Sequence, residues 1–281
     1  MTTGTRVGHG STLMRLFPIA VILVPIAMAA SCARQKPEGA AQVVRRYTTV
    51  EANQAVAVDA QYFYAIDNAA IGKYEKNSGI RVARWAGEPG GAVTHLNSGI
   101  VHDGLLYCAH SNYPETPMVS SIEVFDTDRM AHVRSVPLTS GRGSATWVDH
   151  TEGAWWVTFA NYAGEGGEPG RGPDATTLVR FDPDWRDHGA WFFPRAVVSR
   201  WDGMSSSGGT WADGRWLYTT GHNARELYVL ELPASGHQLR LGRIISIDSE
   251  GQGIAFDRAA GLLYSIQRRT REVLVSKLPA F

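Results

Sequence analysis

One pattern, repeated five times, constrains this chain more than any other feature: a small or polar lead, a short apolar run, an aspartate turn and an aromatic run. The copies are "QAVAVDAQYFYAI" from Gln54, "SGIVHDGLLYCAH" from Ser98, "SATWVDHTEGAWWVTF" from Ser144, "GGTWADGRWLYTT" from Gly208 and "QGIAFDRAAGLLYSI" from Gln252. Each reads as two antiparallel strands joined by a tight turn. Their aspartates, Asp59, Asp103, Asp149, Asp213 and Asp257, are separated by 44, 46, 64 and 44 residues. A spacing of about 45 residues is that of a four-stranded propeller blade. The long interval holds a glycine-rich insertion, "NYAGEGGEPGRGPDATT".

Each copy continues into a third strand: "IGKYEK", "SIEVFD", "TLVRFD", "ELYVLE" and "EVLVSK". Fourth strands follow in the first four copies, among them "IRVARW" and "LRLGRIIS", but the fifth copy ends at "LPAF". The unassigned "VVRRYTTV", residues 43–50, fits that gap, and pairing it there would close the ring and remove an exposed edge. The fold class read from the sequence is all-β: a five-bladed β-propeller over residues 43–281, closed by the N-terminal strand pairing with the last blade. A sandwich gives no reason for such a period.

Ahead of the repeats, Arg6 and Arg15 precede an apolar run, "LFPIAVILVPIAMAA", and then "SCARQKPEG". That order is a secretory signal peptide over residues 1–31, too short and proline-broken for a membrane-spanning helix. The ending "AASC" resembles a bacterial lipobox, which would place a lipid on Cys32 and hold the protein at the membrane on the extracytoplasmic side. Cleavage after Ala29 or Ala30 is the alternative. Residues 32–42 then read as a flexible tether. With Cys32 lipidated, Cys108 is a lone buried thiol; with Cys32 retained and free, a disulfide between them is conceivable. The balance of 27 basic against 27 acidic residues excludes a broad basic face for nucleic acid.

In a propeller, the start of each inner strand and the loop after each second strand converge on one mouth of the channel. Four residues before the turn aspartates stand Ala55, Gly99, Ala145, Gly209 and Gly253, all small, as inner strands around a narrow axis require. The leads into those strands are Asn53, Gln54, Asn97, Ser98, Ser144, Ser207 and Gln252, a ring of amides and hydroxyls. The loops after the second strands add His110, Asn112, Tyr113 and Glu115, then Asn161, Tyr162, Glu165, Glu168 and Arg171. Blade four supplies His222, Asn223 and Arg225, and blade five Gln267, Arg268 and Arg269. The opposite face has short turns such as "HDG" and "ADG". Binding groups therefore gather on one face.

Individually these residues leave alternatives open. His110 and His222 occupy equivalent places and serve either as a general base or as solvated loop histidines. With His95, which leads into blade two, they could hold a divalent metal ion. Asn112–Tyr113 and Asn161–Tyr162 form a repeated pair that either braces its loop or presents tyrosine to a ligand. Glu168 and Arg171 sit in the insertion, which suits a calcium loop, a lid or a partner contact. No zincin, nucleotide-loop or nucleophile-elbow motif is present. Glycosidase chemistry needs a carboxylate pair, and the inner strands carry none; the nearest are Glu51 and Glu250.

The phrases "HLNSGIVHDGLLYCAHSNYPETPMVSSIEVFD", "GSATWVD" and "EGQGIAFD" resemble small exported bacterial β-propeller proteins, some labelled cycloisomerase-like. That resemblance implies a propeller and transfers no site residue. Three readings follow. The first is an exported, lipid-anchored module binding a small polar ligand or peptide at the mouth through the polar ring, with Ser98, Ser144, Asn112, Tyr113, Glu115, Asn161, Tyr162, Glu168 and Arg225 as contacts. The second is an isomerase or lyase in which His110 or His222 abstracts a proton beside a carboxylate held by Arg171 or Arg225. The third is an envelope scaffold, which would carry an exposed apolar patch on one face.

Overall fold

A computed structural model of the chain describes residues 1–6, 8–10 and 35–280. The apolar signal-peptide run, the "AASC" ending and Cys32 lie outside the described residues. Among the described residues, no helix is long and apolar enough to cross a membrane.

The first strand, β1 (Gln42–Thr48), belongs to the last blade. Blade 1 is β2 (Ala55–Val58), β3 (Tyr62–Asp67), β4 (Ala70–Glu75) and β5 (Arg81–Ala86). Blade 2 is β6 (Leu96–His102), β7 (Leu105–Ser111), β8 (Ser120–Asp126) and β9 (Ala131–Pro137). Blade 3 is β10 (Ser144–Thr151), β11 (Ala154–Ala160), β12 (Thr177–Phe181) and β13 (Asp187–Phe192), followed by a short helix, α1 (Arg195–Val198). Blade 4 is β14 (Gly208–Trp211), β15 (Leu217–Thr220), β16 (Glu226–Glu231) and β17 (Arg240–Ser246). Blade 5 runs β18 (Ile254–Asp257), β19 (Leu262–Gln267) and β20 (Glu272–Lys277), with β1 on its outer edge. The five antiparallel sheets form a five-bladed β-propeller.

Closure follows the sequence reading. β1 pairs antiparallel with β20 from Gln42↔Lys277 to Thr48↔Glu272. Tyr47 then crosses to blade 1: its ring lies 4.6 Å from Phe63 and its hydroxyl donates to the carbonyl of Lys76. Part of the segment read as a flexible tether is instead held. Glu38 N–H donates to Ile244 O at 2.7 Å and Ala41 N–H to Ser246 O at 2.8 Å, so residues 38–41 cover the outer edge of β17. The buried Arg200, paired with Glu226 at 2.6 Å, also donates to the carbonyl of Gln35. An open blade edge offers unpaired backbone groups, and this stretch takes them.

The core is five wedges, one between each pair of neighbouring blades. Trp147, Trp156 and Trp211 fill the one between blades 3 and 4; Phe63, Tyr74 and Tyr264 fill the one between blades 5 and 1. Sheets buried on both faces need continuous apolar inner strands; all seven residues of β11 are buried. Near the axis the spacing is tight: a Cβ on Gly253 would collide with Ala55, and one on Gly209 with Trp147. Ser98 Oγ donates to Ile254 O at 3.3 Å, joining inner strands of blades 2 and 5 across blade 1.

The turn aspartates divide. Asp59, Asp213 and Asp257 accept backbone N–H groups of their own turns, as hairpin chemistry requires. Asp103 and Gly104 both have positive φ, 49° and 74°, the backbone of a primed two-residue hairpin. Asp149 differs. It is 1% exposed and reaches two other blades, accepting from Thr210 Oγ1 at 3.0 Å, Trp211 N–H at 2.6 Å and Arg258 Nη2 at 2.8 Å.

Candidate functional site

A cavity of about 330 Å³ opens where the inner strands begin. All five blades line it. Blades 1 and 5 give Gln54, Gln252 and Arg268; blade 2 gives His95, Asn97 and Tyr113. Blade 3 gives Thr146, Tyr162, Gly164 and Glu165, and the approach to blade 4 gives Met204 and Ser207, with His222 beyond β15.

Two irregularities aim side chains into it. The β6–β7 register slips between Leu96 and Gly99, and the β10–β11 register between Ala145 and Trp147. A bulge bends its strand and redirects the extra residue; here those residues include Asn97 and Thr146. Asn97 Nδ2 donates to Ala145 O at 3.2 Å. Thr146 is 3% exposed, and its Oγ1 has no hydrogen-bond partner. An orphaned buried hydroxyl costs about 1–3 kcal/mol, and this one belongs to a residue of the cavity wall.

Arg268 supplies the charge. It begins the short 3-10 turn Arg268–Thr270 after β19, and its guanidinium bends back over the mouth. Nε donates to Asn53 O at 2.7 Å, and Nη2 donates to Gln54 Oε1 and Gln252 Oε1, each at 2.9 Å. All three acceptors are neutral. Among the described residues Arg268 makes no ion pair, and Nη1 has no hydrogen-bond partner. Its pKa is lowered, first by burial and then by Arg271; Asp67 and Tyr113 oppose this. The group stays charged, because an arginine begins so far above neutrality.

The histidines of the mouth are uncharged at neutral pH. Burial, then repulsion from His110 and Arg268, brings His95 down to about 4. His222 is also lowered, chiefly by burial, with the hydrogen bond to Asn223 opposing and Arg268 assisting. His222 Nδ1 lies 2.6 Å from Asn223 Oδ1; an amide oxygen only accepts, so Nδ1 carries the proton and Nε2 keeps its lone pair. An aromatic wall faces Arg268: the His95 and Tyr113 rings are 5.1 Å apart, and Tyr113 and Tyr162 meet edge-on at 5.2 Å.

The lowered histidines set an acid response. An unfolded His95 takes a proton near 6.5 and the folded one only near 4, so between those values the unfolded state binds more protons. Stability therefore rises with pH across that window and falls on acidification, by about 3 kcal/mol at most from His95. His110, His150 and His222 act in the same direction. Melting temperature followed from pH 6.5 to 4 should decline, and His95→Gln should flatten part of that slope.

Of the residues expected at the mouth, the cavity brings together Gln54, His95, Asn97, Tyr113, Tyr162, Glu165, Ser207, His222, Gln252 and Arg268. Others lie elsewhere. His110 is still inside β7, which runs on to Ser111, and strand alternation turns the two apart. Its Nδ1 meets Ser121 Oγ at 2.9 Å, and that hydroxyl donates to the buried Glu123 at 2.6 Å. Glu123 also engages His132 Nε2 at 2.7 Å. Ser111 and Ser144 bond to each other at 2.8 Å between blades. Ser98 turns into the axis, as described above. Asn112 and Asn161 brace their loops: Asn112 accepts from Val119 N–H at 2.7 Å, and Asn161 donates to the carbonyls of Arg142 and Ala175.

Glu168 accepts from Met118 N–H at 2.8 Å, and Arg171 donates to Gly141 O; both pin the insertion to blade 2 and the loop after it rather than facing the mouth. Glu115 is exposed. Arg225 pairs with Glu250 at 3.2 Å in a shallower depression beside the mouth. Among the described residues, no three His, Cys, Asp or Glu side chains are arranged to hold a metal ion. His95, His110 and His222 do not form the three-histidine site considered from sequence, since His110 is committed to Ser121 and Glu123. Cys108 is a buried free thiol whose pKa burial pushes up.

A second cavity, about 240 Å³, sits at the other end of the axis and shares no lining residue with the mouth. Asp149 is paired there with Arg258 and Asp257 with Lys76 at 2.6 Å, and Asp59 accepts from the Tyr64 hydroxyl at 2.6 Å. It lacks the unpaired cation and orphaned hydroxyl of the mouth.

No protein-family model matches the chain, and no curated protein does. Solved structures similar to it include U3-55K, at 11% identity, TM-score 0.46 and 80% coverage of both chains. The RRP9 WD40 repeats align at 11% identity and TM-score 0.44, over 80% of this chain and 79% of that one. Kuenenia stuttgartiensis hydrazine synthase aligns at 11% identity and TM-score 0.49, over 81% and 84%.

Proposed function

We propose that this chain is a binding module that takes a small organic acid at the mouth of the propeller, with the acid's carboxylate on Arg268. One observation carries the reading: a half-buried guanidinium faces a cavity from neutral supports and makes no ion pair among the described residues, Glu165 being the carboxylate that shares the lining. Burying a charge without a counterion is costly; a ligand carboxylate supplies the missing partner by a charge-assisted, two-pronged bond. The neutral histidines, the Thr146 hydroxyl and the tyrosine wall would hold the rest of the molecule. The signal-peptide pattern and Cys32 support export and a lipid anchor, which would present the mouth to solutes outside the cytoplasm.

A thermal-shift screen of carboxylic acids, amines and neutral sugars tests this. Carboxylates should raise the melting temperature and the other two classes should not. Thr146→Val should leave the unliganded protein as stable or slightly more so, yet weaken the best acid by about tenfold.

A second reading, an isomerase or lyase, draws support from His222. Its Nε2 lone pair lies in the same cavity as Arg268, so it would act as the base that takes a proton next to the bound carboxylate. On that reading His222→Gln abolishes turnover while leaving binding of the acid within a few fold. The scaffold reading lacks such support: exposed apolar residues such as Val44, Val133 and Phe192, and the pair Ile80 and Val82, are spread over four different blades.

A further inference from the structure

The mouth does not account for a second cationic cavity, a notch of about 680 Å³ lined by Thr48, Thr49, Val50, Asp67, Tyr74, Arg81 and Arg271. It lies where the end of β1 meets blade 1, so the closing strand builds one wall and β4 and β5 another. Arg81 uses Nη1 on the buried Glu51 at 2.8 Å; Nε and Nη2 have no partner among the described residues. Arg271 uses Nη1 on Asp67 Oδ2 at 3.0 Å and Val50 O at 3.3 Å, leaving its other donors unengaged in the same sense. Both side chains are more than two-fifths exposed, 41% and 44%.

The carboxylates nearby are already committed. Glu51 accepts from Tyr74 at 2.5 Å and from Arg81 and Arg84, and Asp67 accepts from Asn53 at 2.7 Å as well as Arg271. Counting Arg81, Arg84 and Arg271 against Glu51 and Asp67, the notch keeps a surplus positive charge. Thr49, 3% exposed, lines it with an Oγ1 that has no hydrogen-bond partner, the same sign that marks the mouth at Thr146.

We infer that this notch is a separate anion site, built for a phosphate or sulfate group carried on a larger molecule. Two guanidinium groups with free forks, beside two threonine hydroxyls, match a tetrahedral anion with several acceptor oxygens better than they match a single carboxylate. The width of the notch leaves room for the rest of such a molecule, and the exposed Val50 offers it an apolar lip.

The test is calorimetric titration of the protein with inorganic phosphate at low ionic strength, since exposed charge pairs are screened by salt. Wild type should bind phosphate. Arg271→Gln and Arg81→Gln should each weaken it by about tenfold or more. Because Arg81→Gln also strips a partner from Glu51, Thr49→Val serves as the independent variant: it removes an orphaned hydroxyl, so the melting temperature should hold or rise while phosphate binding weakens. Arg268→Met should weaken phosphate binding far less than Arg271→Gln does, which separates the notch from the mouth. No binding by wild type, or binding lost in Arg268→Met and kept in Arg271→Gln and Thr49→Val, would overturn the inference.

Discussion

A chain beginning at Val50 should fail to give a cooperative unfolding transition, where the chain beginning at Gln35 gives one. The shorter form lacks β1, the register from Gln42 to Thr48 against β20 and the Tyr47 ring buried on Phe63. It also uncovers the edge of β17 that residues 38–41 protect. A buried aromatic and a full strand ladder together amount to at least about 5 kcal/mol, comparable with the whole stability of many domains. Circular dichroism with heating compares the two forms. A sharp transition at an unchanged temperature in the shorter chain would mean that the ring does not depend on this closure.

Asp149→Ala is the point substitution expected to cost most. The carboxylate is the meeting point of blades 3, 4 and 5, and its removal orphans Thr210, the backbone N–H groups of His150 and Trp211, and one side of Arg258. Removing one partner of a buried pair costs about 3–5 kcal/mol, or roughly 10 °C in melting temperature for a domain of this size. Asp149→Asn keeps an acceptor and should cost less than half as much. Asp213→Ala, at the equivalent turn of blade 4, serves as the comparison: its carboxylate accepts from Arg215 and Trp216 N–H of its own turn and is not buried. It should cost about 1 kcal/mol. Equal losses at the two positions would contradict the role given to Asp149.

The contrast between those two aspartates shows where the sequence stops being readable. The period of the aspartates and the missing fourth strand were enough to count the blades and to assign residues 43–50 to the last one, because both depend on chain length and alternation. The side of the molecule holding the mouth followed from the same bookkeeping. What each aspartate bonds did not, since Asp149 and Asp213 occupy equivalent positions in similar strings, and the packing of Thr210, Trp211 and Arg258 against Asp149 separates them. Thr146 was hidden for a related reason. A strand read by strict alternation has no place for the bulge at Thr146, which lines the cavity.

Arg268 stood in the right loop but among close arginine neighbours, "RRTR"; the turn after β19 decides which of them bends inward. His110 was misplaced by one strand boundary: with the strand ending at Ala109 it would be a loop residue, and with the strand running to Ser111 it belongs to the wall between blades. A signal was present there, because Glu123 sits in "SIEVFD" where an apolar strand face is otherwise continuous. A buried carboxylate needs partners, and the β7–β8 register sets His110 opposite Ser121, two residues before Glu123 on the same strand. The stretch ahead of β1 was assigned by composition alone, which cannot reveal an open edge on β17.

The central claim, that Arg268 is the anion receptor of the mouth, is tested most directly by calorimetric titration of wild type and Arg268→Met with the carboxylate that stabilises the protein best, at neutral pH. Loss of a charge-assisted bond in a partly buried site should weaken binding by about tenfold to a hundredfold, while in the unliganded variant the hydrogen bonds lost at Asn53, Gln54 and Gln252 are offset in part by removal of a partly buried charge without a counterion. Equal affinity in the two proteins would contradict the claim.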